Sequence, residues 1–309
     1  MFFAGGRGLG SGYSGASSEG PPGPNVQVLL HEPMSGPVVS SSESDIEFEK
    51  IDLDHPLASR SYRLKPPRHI GVRLGRALAD RVESFIGRQS IHPDVAVYDA
   101  GTFPWAERVE RNWRGIREEL DVLMTRRESM PSFHEILAEA GTITTDNQWK
   151  TFFLLAPGMD CRKNQAQCPQ TVRALKEIPD IQTAFFSILS PHKHIPAHRG
   201  AFNGVLRYHL GLMVPEAKEK CRIRIGTQIC HWEEGKSLIF DDTYNHEVWN
   251  ETDQYRVVLF VDFVRPMRPP HDRWVNGLLR LAARTPWLRE AGGRQQAWEK
   301  KFYQAGKGS

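Results

Sequence analysis

The chain has 309 residues, of which 39% are hydrophobic and 25% charged, and its formal net charge is +3. This length allows one or two domains with a sizeable core, although the hydrophobic fraction is below that of an average globular protein. No run of about 18 apolar residues occurs, which excludes a membrane-spanning helix. A charge so close to neutral, without a recognisable binding motif, argues against nucleic acid as a partner.

The first 45 residues differ in composition from the rest, because they contain nine Gly, nine Ser and five Pro. Such a segment buries too little apolar surface to offset its ordering entropy, so we predict a disordered tail over 1–45. The start lacks the charged and apolar regions of a secretory signal, while an organellar transit peptide remains a lesser alternative. The four cysteines form no CxxC pair and indicate buried core residues in a reducing compartment, so we expect a cytoplasmic protein.

Hydrophobic periodicity predicts helices in the first half of the chain. Apolar residues spaced three and four apart indicate amphipathic helices over 72–88 and 104–124, and shorter helical patterns cover 132–140 and 170–178. From residue 182 the period changes to two. The predicted strands are 182–190, 204–214, 220–226, 228–233, 236–241, 246–250 and 255–265. Helical character returns after Pro270, over 271–284 and 294–303.

This order of elements predicts a mainly β fold in which helices flank an antiparallel sandwich or barrel. We expect a central domain over 46–265, with helical support over about 70–180 and a β core over about 182–265. A helical tail follows over 266–309. This last segment, with Arg265, carries ten basic and three acidic residues.

Two strands carry charged residues where a core strand would not. In 205–212, Leu206 and Tyr208 begin an apolar face, while Arg207 and His209 lie on the opposite face. Arg256 likewise shares its face with Val and Phe. A solvated sheet face is the simpler interpretation. The alternative is an anionic small molecule in the barrel, because the planar guanidinium fork matches a carboxylate.

Two of the twelve histidines, His198 and His246, lie at strand ends beside this strand. Most histidines are surface or structural residues. Non-haem Fe(II) oxygenases, however, present two histidines and a carboxylate on one face of the metal. That carboxylate usually follows the first histidine by two residues, and here the position is Gly200.

Several spaced motifs resemble the aspartyl/asparaginyl β-hydroxylases, which are Fe(II)- and 2-oxoglutarate-dependent oxygenases built on a double-stranded β-helix (a cupin-like jelly roll). The resemblance covers residues 187–265 most strongly and about 100–300 more weakly. Its motifs are His198-Arg199-Gly200, Leu206-Arg207-Tyr208-His209, Trp232-Glu233-Glu234-Gly235 and Phe240-Asp241-Asp242…His246-Glu247-Val248-Trp249. Asn112-Trp113, Cys168-Pro169 and Arg265-Pro266-Met267 are similar to the lipid A hydroxylase branch of this family.

The resemblance implies a role for each matching residue. His198 and His246 would bind Fe(II), with 2-oxoglutarate and O₂ as cosubstrates. Arg207 and His209 would meet one end of 2-oxoglutarate near the metal. The residues implied at the rest of the cosubstrate site are Ser187 and Arg256, at the distal carboxylate, and Trp149, which helps to close the site. Animal members also carry Gly at the position of Gly200, whereas the lipid-hydroxylase branch carries Asp.

The implied reaction is hydroxylation of an unactivated C–H bond, first of all the β-carbon of an Asp/Asn-type residue in a peptide or amino acid. Val205, however, stands where peptide-acting members place a further Arg that is thought to grip the substrate carboxylate. A lipid acyl chain is therefore the alternative substrate. A catalytically silent cupin-like binding module is the alternative from another class, and Gly200 would favour it.

The basic segment at the end of the chain bears on the substrate. An apolar stripe that begins at Trp274 and Val275 runs beside Arg273, Arg280 and Arg284. A basic amphipathic helix of this kind either lies on an anionic membrane or packs on its own domain. The first alternative predicts a protein that associates peripherally with membranes.

Overall fold

The computed structural model describes residues 49–50, 56–60 and 70–305. All of them belong to the second of two units of the chain, Met1–Asp45 and Ile46–Ser309. The tail predicted over 1–45 lies outside the described residues. So do the side chains of 70–74 and of residue 287.

Eleven strands and eight α-helices occur in the described part of the chain. The strands are β1 (Glu49–Lys50), β2 (Val97–Tyr98), β3 (Trp149–Leu155), β4 (Ile181–Leu189), β5 (Lys193–His198), β6 (Val205–Met213), β7 (Cys221–Ile225), β8 (Gln228–His231), β9 (Ser237–Phe240), β10 (His246–Asn250) and β11 (Arg256–Val264). The helices are α1 (Ile70–Gln89), α2 (Trp105–Glu110), α3 (Trp113–Met124), α4 (Phe133–Ile136), α5 (Arg162–Gln167), α6 (Pro169–Leu175), α7 (His271–Ala282) and α8 (Pro286–Ala305).

The strands form two antiparallel sheets. The larger sheet has the order β2-β9-β6-β11-β4-β3, and the smaller has the order β1-β8-β7-β10-β5. Side chains from both sheets, such as Phe260 and Val248, meet in one buried cluster. The architecture is therefore a double-stranded β-helix with flanking helices, as predicted.

A second hydrophobic cluster lies on the outer face of the larger sheet. It joins alternate residues of β6 and β11, such as Tyr208 and Leu259, to residues of α2, α3 and α6 such as Val109 and Leu120. The larger sheet is therefore buried on both faces, because the smaller sheet covers one face and the helices cover the other.

Strand β6 has the two faces that its sequence predicts. Leu206, Tyr208, Leu210 and Leu212 pack against the helices. His209 faces the space between the sheets and is only 5% exposed. The simpler interpretation of this face, as a solvated surface, is wrong, because the smaller sheet encloses it.

All seven predicted strands occur, with ends shifted by no more than a few residues. Two further long strands, β3 and β5, have no clear alternation and were not expected. Strand β3 is buried along almost its whole length, and β5 combines three polar residues with Pro196. Such strands do not show a period of two.

Several helices differ from their predicted extents. The helix predicted over 104–124 is two helices, because the backbone of Asn112 leaves the α conformation. The pattern over 132–140 is the short helix α4 followed by a 3₁₀ turn, Ala138–Thr142. Helix α6 ends at Leu175, earlier than predicted, and α8 begins at Pro286, eight residues before its predicted start. In the described residues, no helix combines the length and apolar character needed to cross a bilayer.

Candidate active site

The two candidate iron ligands lie opposite each other on neighbouring strands. His198 ends β5, and His246 begins β10. The two residues are direct partners in the antiparallel ladder, and the centroids of their imidazole rings are 4.1 Å apart. The sheet register therefore places both rings on one edge of the β-helix, although 47 residues separate them in the chain.

Each of these imidazoles has one nitrogen occupied by its own strand. Nδ1–H of His198 donates to the carbonyl oxygen of Pro196 at 2.8 Å, and Nδ1–H of His246 donates to that of Tyr244 at 3.0 Å. A carbonyl oxygen only accepts, so in the neutral rings the lone pair lies on Nε2. Burial lowers the pKa of His198 to about 4 and that of His246 well below its ordinary value. Both rings are thus neutral and present Nε2 as a donor atom for a metal.

A carboxylate lies close to Gly200, the position at which the common iron motif has its acidic residue. A Cβ atom added to Gly200 would meet both carboxylate oxygens of Asp242 at 2.2 to 2.3 Å. The backbone N–H of Gly200 also donates to the carbonyl oxygen of Asp242 at 2.7 Å. Any side chain at position 200 would therefore displace Asp242, and glycine is required for this close approach.

Asp242 is a site residue to which the sequence analysis assigned no role. Its only signal is the pair Asp241-Asp242 that precedes His246. Burial raises the pKa of Asp242 to about 6, while Arg207 opposes this rise through an ion pair of 2.8 Å. Among the described residues, no group of three or more His, Cys, Asp or Glu side chains is placed to hold a metal ion. The described residues that come together here are the two histidines, with Asp242 packed against Gly200, two residues after His198.

Buried donors without acceptors lie further inside the β-helix. Arg256 is 2% exposed, and its Nε and Nη1 have no hydrogen-bond partner. Its guanidinium stacks on the ring of Trp232 at 4.6 Å, and its burial lowers its pKa to about 10. An unpaired buried guanidinium is unfavourable, so the site is suited to an anionic ligand.

His209 adds another such donor. The indole N–H of Trp232 donates to Nδ1 of His209 at 3.3 Å. Because indole is only a donor, Nδ1 accepts, and the proton of the neutral imidazole lies on Nε2. That Nε2 is buried and has no partner. Burial, together with the charge of Arg256, lowers the pKa of His209 well below its ordinary value, so the ring remains a neutral donor.

Trp149 and Ser187 complete this side of the site. The indole N–H of Trp149 donates to Oγ of Ser187 at 3.0 Å, across neighbouring strands β3 and β4. The Ser187 hydroxyl accepts this bond and keeps its own proton for another acceptor. Val258 of β11, two residues after Arg256, is the ladder partner of Ser187.

Arg207 differs from Arg256 because it is already paired. Its Nε lies 3.0 Å from Oδ1 of Asp262, its Nη2 lies 2.8 Å from Oδ2 of Asp242, and it stacks on Phe260 at 4.2 Å. The structure thus brings all seven predicted residues to the inside or the edge of the β-helix. It gives unsatisfied donors only to Arg256 and His209 among them.

The fold is a double-stranded β-helix, with two paired histidines at its edge and unpaired buried donors inside. The sequence profile of the aspartyl/asparaginyl beta-hydroxylase family matches residues 110–266. The chain belongs to this family, and it is a hydroxylase.

Two named relatives give the range of similarity. The chain is 52% identical over 208 residues to an ornithine lipid ester-linked acyl 2-hydroxylase from Rhizobium tropici, covering 67% of this chain and 74% of that protein. It is 33% identical over 183 residues to the aspartyl/asparaginyl beta-hydroxylase of Homo sapiens, covering 57% of this chain but only 23% of that longer protein. Among solved structures, a prolyl-4-hydroxylase from Pseudomonas putida covers 50% of this chain and 87% of its own, with 18% identity and a TM-score of 0.33, too low to support an argument.

Proposed function

We propose that this protein is an Fe(II)- and 2-oxoglutarate-dependent hydroxylase that acts on the acyl chain of a membrane lipid. The observation that supports the chemistry is the set of buried donors without acceptors on Arg256 and His209. Each such group costs about 1–3 kcal/mol when it is left unsatisfied. A dianion such as 2-oxoglutarate would satisfy them at once.

The residues fit both groups. His198 and His246 would hold Fe(II) through Nε2, since imidazole is a common ligand for iron. Arg256 and the Ser187 hydroxyl would hold the distal carboxylate, and His209 would donate to the other end of the cosubstrate. When bound, iron and 2-oxoglutarate supply the oxidation of a C–H bond by O₂, with release of succinate and CO₂.

The chain's own residues would orient and enclose these groups. The backbone carbonyls of Pro196 and Tyr244 fix both imidazole tautomers. Trp149 holds Ser187 through its indole N–H, and its ring packs at a tilt against Phe133 with centroids 4.3 Å apart, which would help to close this side of the site. Arg207 would hold the carboxylate of Asp242 beside the two histidines.

The lipid substrate is favoured over the Asp/Asn-type residue that was expected first. The 52%-identical relative is named for an ester-linked acyl chain. Val205 supplies no cation at the place where a substrate carboxylate would be gripped, and it lies on the same face of β6 as Arg207. Both observations support a lipid acyl chain, the alternative substrate.

Replacement of His198 or His246 with alanine is expected to lower succinate release by at least about a hundredfold, because loss of even an outer-shell partner of a metal ligand costs 10- to 100-fold. The assay contains Fe(II), 2-oxoglutarate and, in parallel, an ornithine lipid, an Asp/Asn-containing peptide and free amino acids. His192→Ala is the control, since His192 is exposed and pairs with Asp253.

Three outcomes of this assay contradict the proposal. Undiminished turnover in both variants would refute the metal assignment. Hydroxylation of the peptide alone would restore the Asp/Asn-type substrate. A wild-type protein that neither binds 2-oxoglutarate nor releases succinate would be a silent binding module.

We also propose that α7 contacts an anionic membrane surface. Its face toward the domain is packed, because Val275 is fully buried beside Ile86. Its outer face exposes 45% of Trp274 and 66% of Leu281, and Arg273, Arg280 and Arg284 are exposed as well. Apolar and basic side chains on one exposed face suit an interfacial helix.

The variant Trp274→Ala/Leu281→Ala is expected to weaken association with anionic vesicles by at least about tenfold, because two large apolar side chains no longer enter the interface. Co-sedimentation with anionic and with zwitterionic vesicles measures this. Val122→Ala on α3, which removes an equally exposed apolar side chain, is the control. If association with vesicles depends neither on the substitution nor on the charge of the lipid, the proposed contact of α7 with the membrane is wrong.

A further inference from the structure

A cavity of about 270 Å³ lies next to Arg207, between the larger sheet and the junction of α7 and α8. Thirteen of its seventeen lining residues are apolar. Phe133, Phe153, Phe185 and Phe260 form one wall, in which the ring centroid of Phe185 lies 4.2 to 5.6 Å from those of the other three. A cavity with this lining takes an apolar ligand.

The polar residues of the lining form one group. Asp262 is the ladder partner of Arg207 on β6 and of Thr183 on β4, and Gln182 precedes Thr183. The cavity therefore has a single polar region, and the rest of its lining is apolar. A peptide would place polar backbone groups along the whole cavity, where they would lack partners. An acyl chain has its polar ester at one end only.

The polar region is connected to the two histidines through Arg207. Arg207 lines the cavity and pairs with Asp242, whose carboxylate lies against Gly200, two residues after His198. A chain that enters with its ester at Arg207 would present its first carbons to this part of the site. Its tail would point away, toward α7 and α8.

The other end of the cavity reaches the surface at the junction of α7 and α8. Leu279, Ala283 and Leu288 line it there and are half-buried, whereas Ala282 is exposed. Leu281, the next residue, belongs to the outer face of α7 described above. An acyl chain can therefore pass from a bilayer into the cavity without exposing its methylenes to water, which would cost about 0.8 kcal/mol each.

We infer that this cavity binds the acyl chain of the lipid substrate, with the ester accepting from Arg207 and the tail at the α7–α8 junction. This inference rests on the proposed lipid hydroxylase function. It assigns Val205 to the wall of the acyl site and makes Ala283 the residue that limits chain length.

The test fills the outer end of the cavity with Ala283→Trp and, more mildly, with Ala283→Leu. The ligands are ornithine lipids whose ester-linked chains differ in length, and a free fatty acid. Binding is measured by calorimetry on the metal-free protein, and hydroxylation on the Fe(II)-loaded protein. Ala297→Trp is the matched control, because Ala297 is an exposed residue of α8 that does not line the cavity.

We expect Ala283→Trp to weaken binding of the longest chain by about tenfold, as if roughly two methylenes were displaced, and to shift the preference toward shorter chains. Ala283→Leu should shift it less, and Ala297→Trp should not shift it. The melting temperature of each variant shows whether it is folded. If Ala283→Trp is not folded, the chain-length preference of Ala283→Leu is compared with that of the wild type instead.

The cavity assignment and the proposed function can fail separately. If the wild type hydroxylates the lipid and Ala283→Trp leaves its chain-length preference unchanged, the cavity assignment is wrong and the function stands. If the wild type binds the lipids with an affinity that Ala283→Trp lowers, yet hydroxylates none of them, the function is wrong and the cavity assignment stands. Binding of the free fatty acid alone overturns the assignment to a membrane lipid.

Discussion

Arg256→Met is expected to weaken 2-oxoglutarate binding by roughly a hundredfold while leaving the ligand-free protein as stable as the wild type or more stable. The loss follows from removal of a buried charge partner of the cosubstrate, which typically costs 2–5 kcal/mol. The gain in stability follows from removal of a guanidinium that has two unsatisfied nitrogens in the folded protein. A hydrophobic side chain of similar size removes that penalty.

Two measurements separate binding from folding. Calorimetric titration with 2-oxoglutarate, with Fe(II) and without O₂, gives the affinity, and thermal unfolding gives the stability with and without the ligand. At a ligand concentration of a hundred times its Kd, the wild type gains about 2.7 kcal/mol and the variant gains almost nothing. The order of the two stabilities should therefore reverse when 2-oxoglutarate is added.

Arg224→Met is the matched control for the sign of the stability change. Arg224 is also buried, but its guanidinium donates to the carbonyl oxygens of Gly226 and Asn245 and to the side chain of Asn245 at 2.7 to 3.1 Å. Its loss leaves these acceptors without their donor, so this variant should be less stable than the wild type. An Arg256→Met protein that unfolds as easily as Arg224→Met would indicate a structural role for Arg256.

Asp241→Ala is expected to destabilise the protein by about 3–5 kcal/mol, the cost of breaking a buried ion pair from one side. Asp241 and Arg265 are both inaccessible to solvent and form an ion pair, and Arg60 lies 2.6 Å from the same carboxylate. Arg265 also donates to the carbonyl oxygen of Asn203 at 2.7 Å and to the hydroxyl of Tyr98 at 2.8 Å. Without Asp241, the buried charge of Arg265 would keep only the longer ion pair of 3.4 Å with Asp94.

Denaturant unfolding measures this loss, and a melting temperature lower by about 10 °C should accompany it. Adding Arg265→Met to Asp241→Ala should recover part of the stability, because the two residues are coupled. Asp253→Ala, which removes an exposed partner of His192, should leave the stability unchanged. A loss below about 1 kcal/mol in Asp241→Ala, or strict additivity in the double variant, would contradict the buried ion pair.

The two adjacent aspartates, Asp241 and Asp242, show which features of the site can be predicted from the sequence and which cannot. Their motif identifies the family, but it does not show that Asp241 pairs with Arg265 in the core while Asp242 lies against Gly200. These two roles depend on where the turn between β9 and β10 directs each side chain. Only the folded backbone determines that direction.

The alternation of β6 predicted that Arg207 and His209 share one face, and that of β11 placed Arg256 among Val and Phe, but it did not show that these faces are enclosed. It could not show that Arg207 is paired and Arg256 is not, because the partner Asp262 comes from β11 and the partner Asp242 from the turn between β9 and β10. Strand β3, which supplies Trp149, is buried too completely to show a period. Trp149 entered through the resemblance alone.

The acyl cavity was not foreseen for a related reason. Its lining comes mainly from α4, four strands and the region where α7 and α8 meet, and each of these segments contributes only a few residues. The junction itself was misplaced, because the start of α8 was predicted eight residues too late. Local periodicity describes single elements, whereas a cavity is a property of their packing.

Because β6 packs against helices on one face and carries Arg207 and His209 on the other, the outer helices help to position these two residues. A shift of β6 by one residue would exchange Tyr208 and Leu210 with Arg207 and His209. What prevents this shift is packing on the far side, where the ring of Tyr208 lies 5.2 Å from that of Trp105 on α2. Substitutions in α2 or α3 that weaken this packing should therefore weaken cosubstrate binding, although these residues do not contact the cosubstrate. A screen for inactive variants should accordingly identify many substitutions on the helix-covered face of the larger sheet.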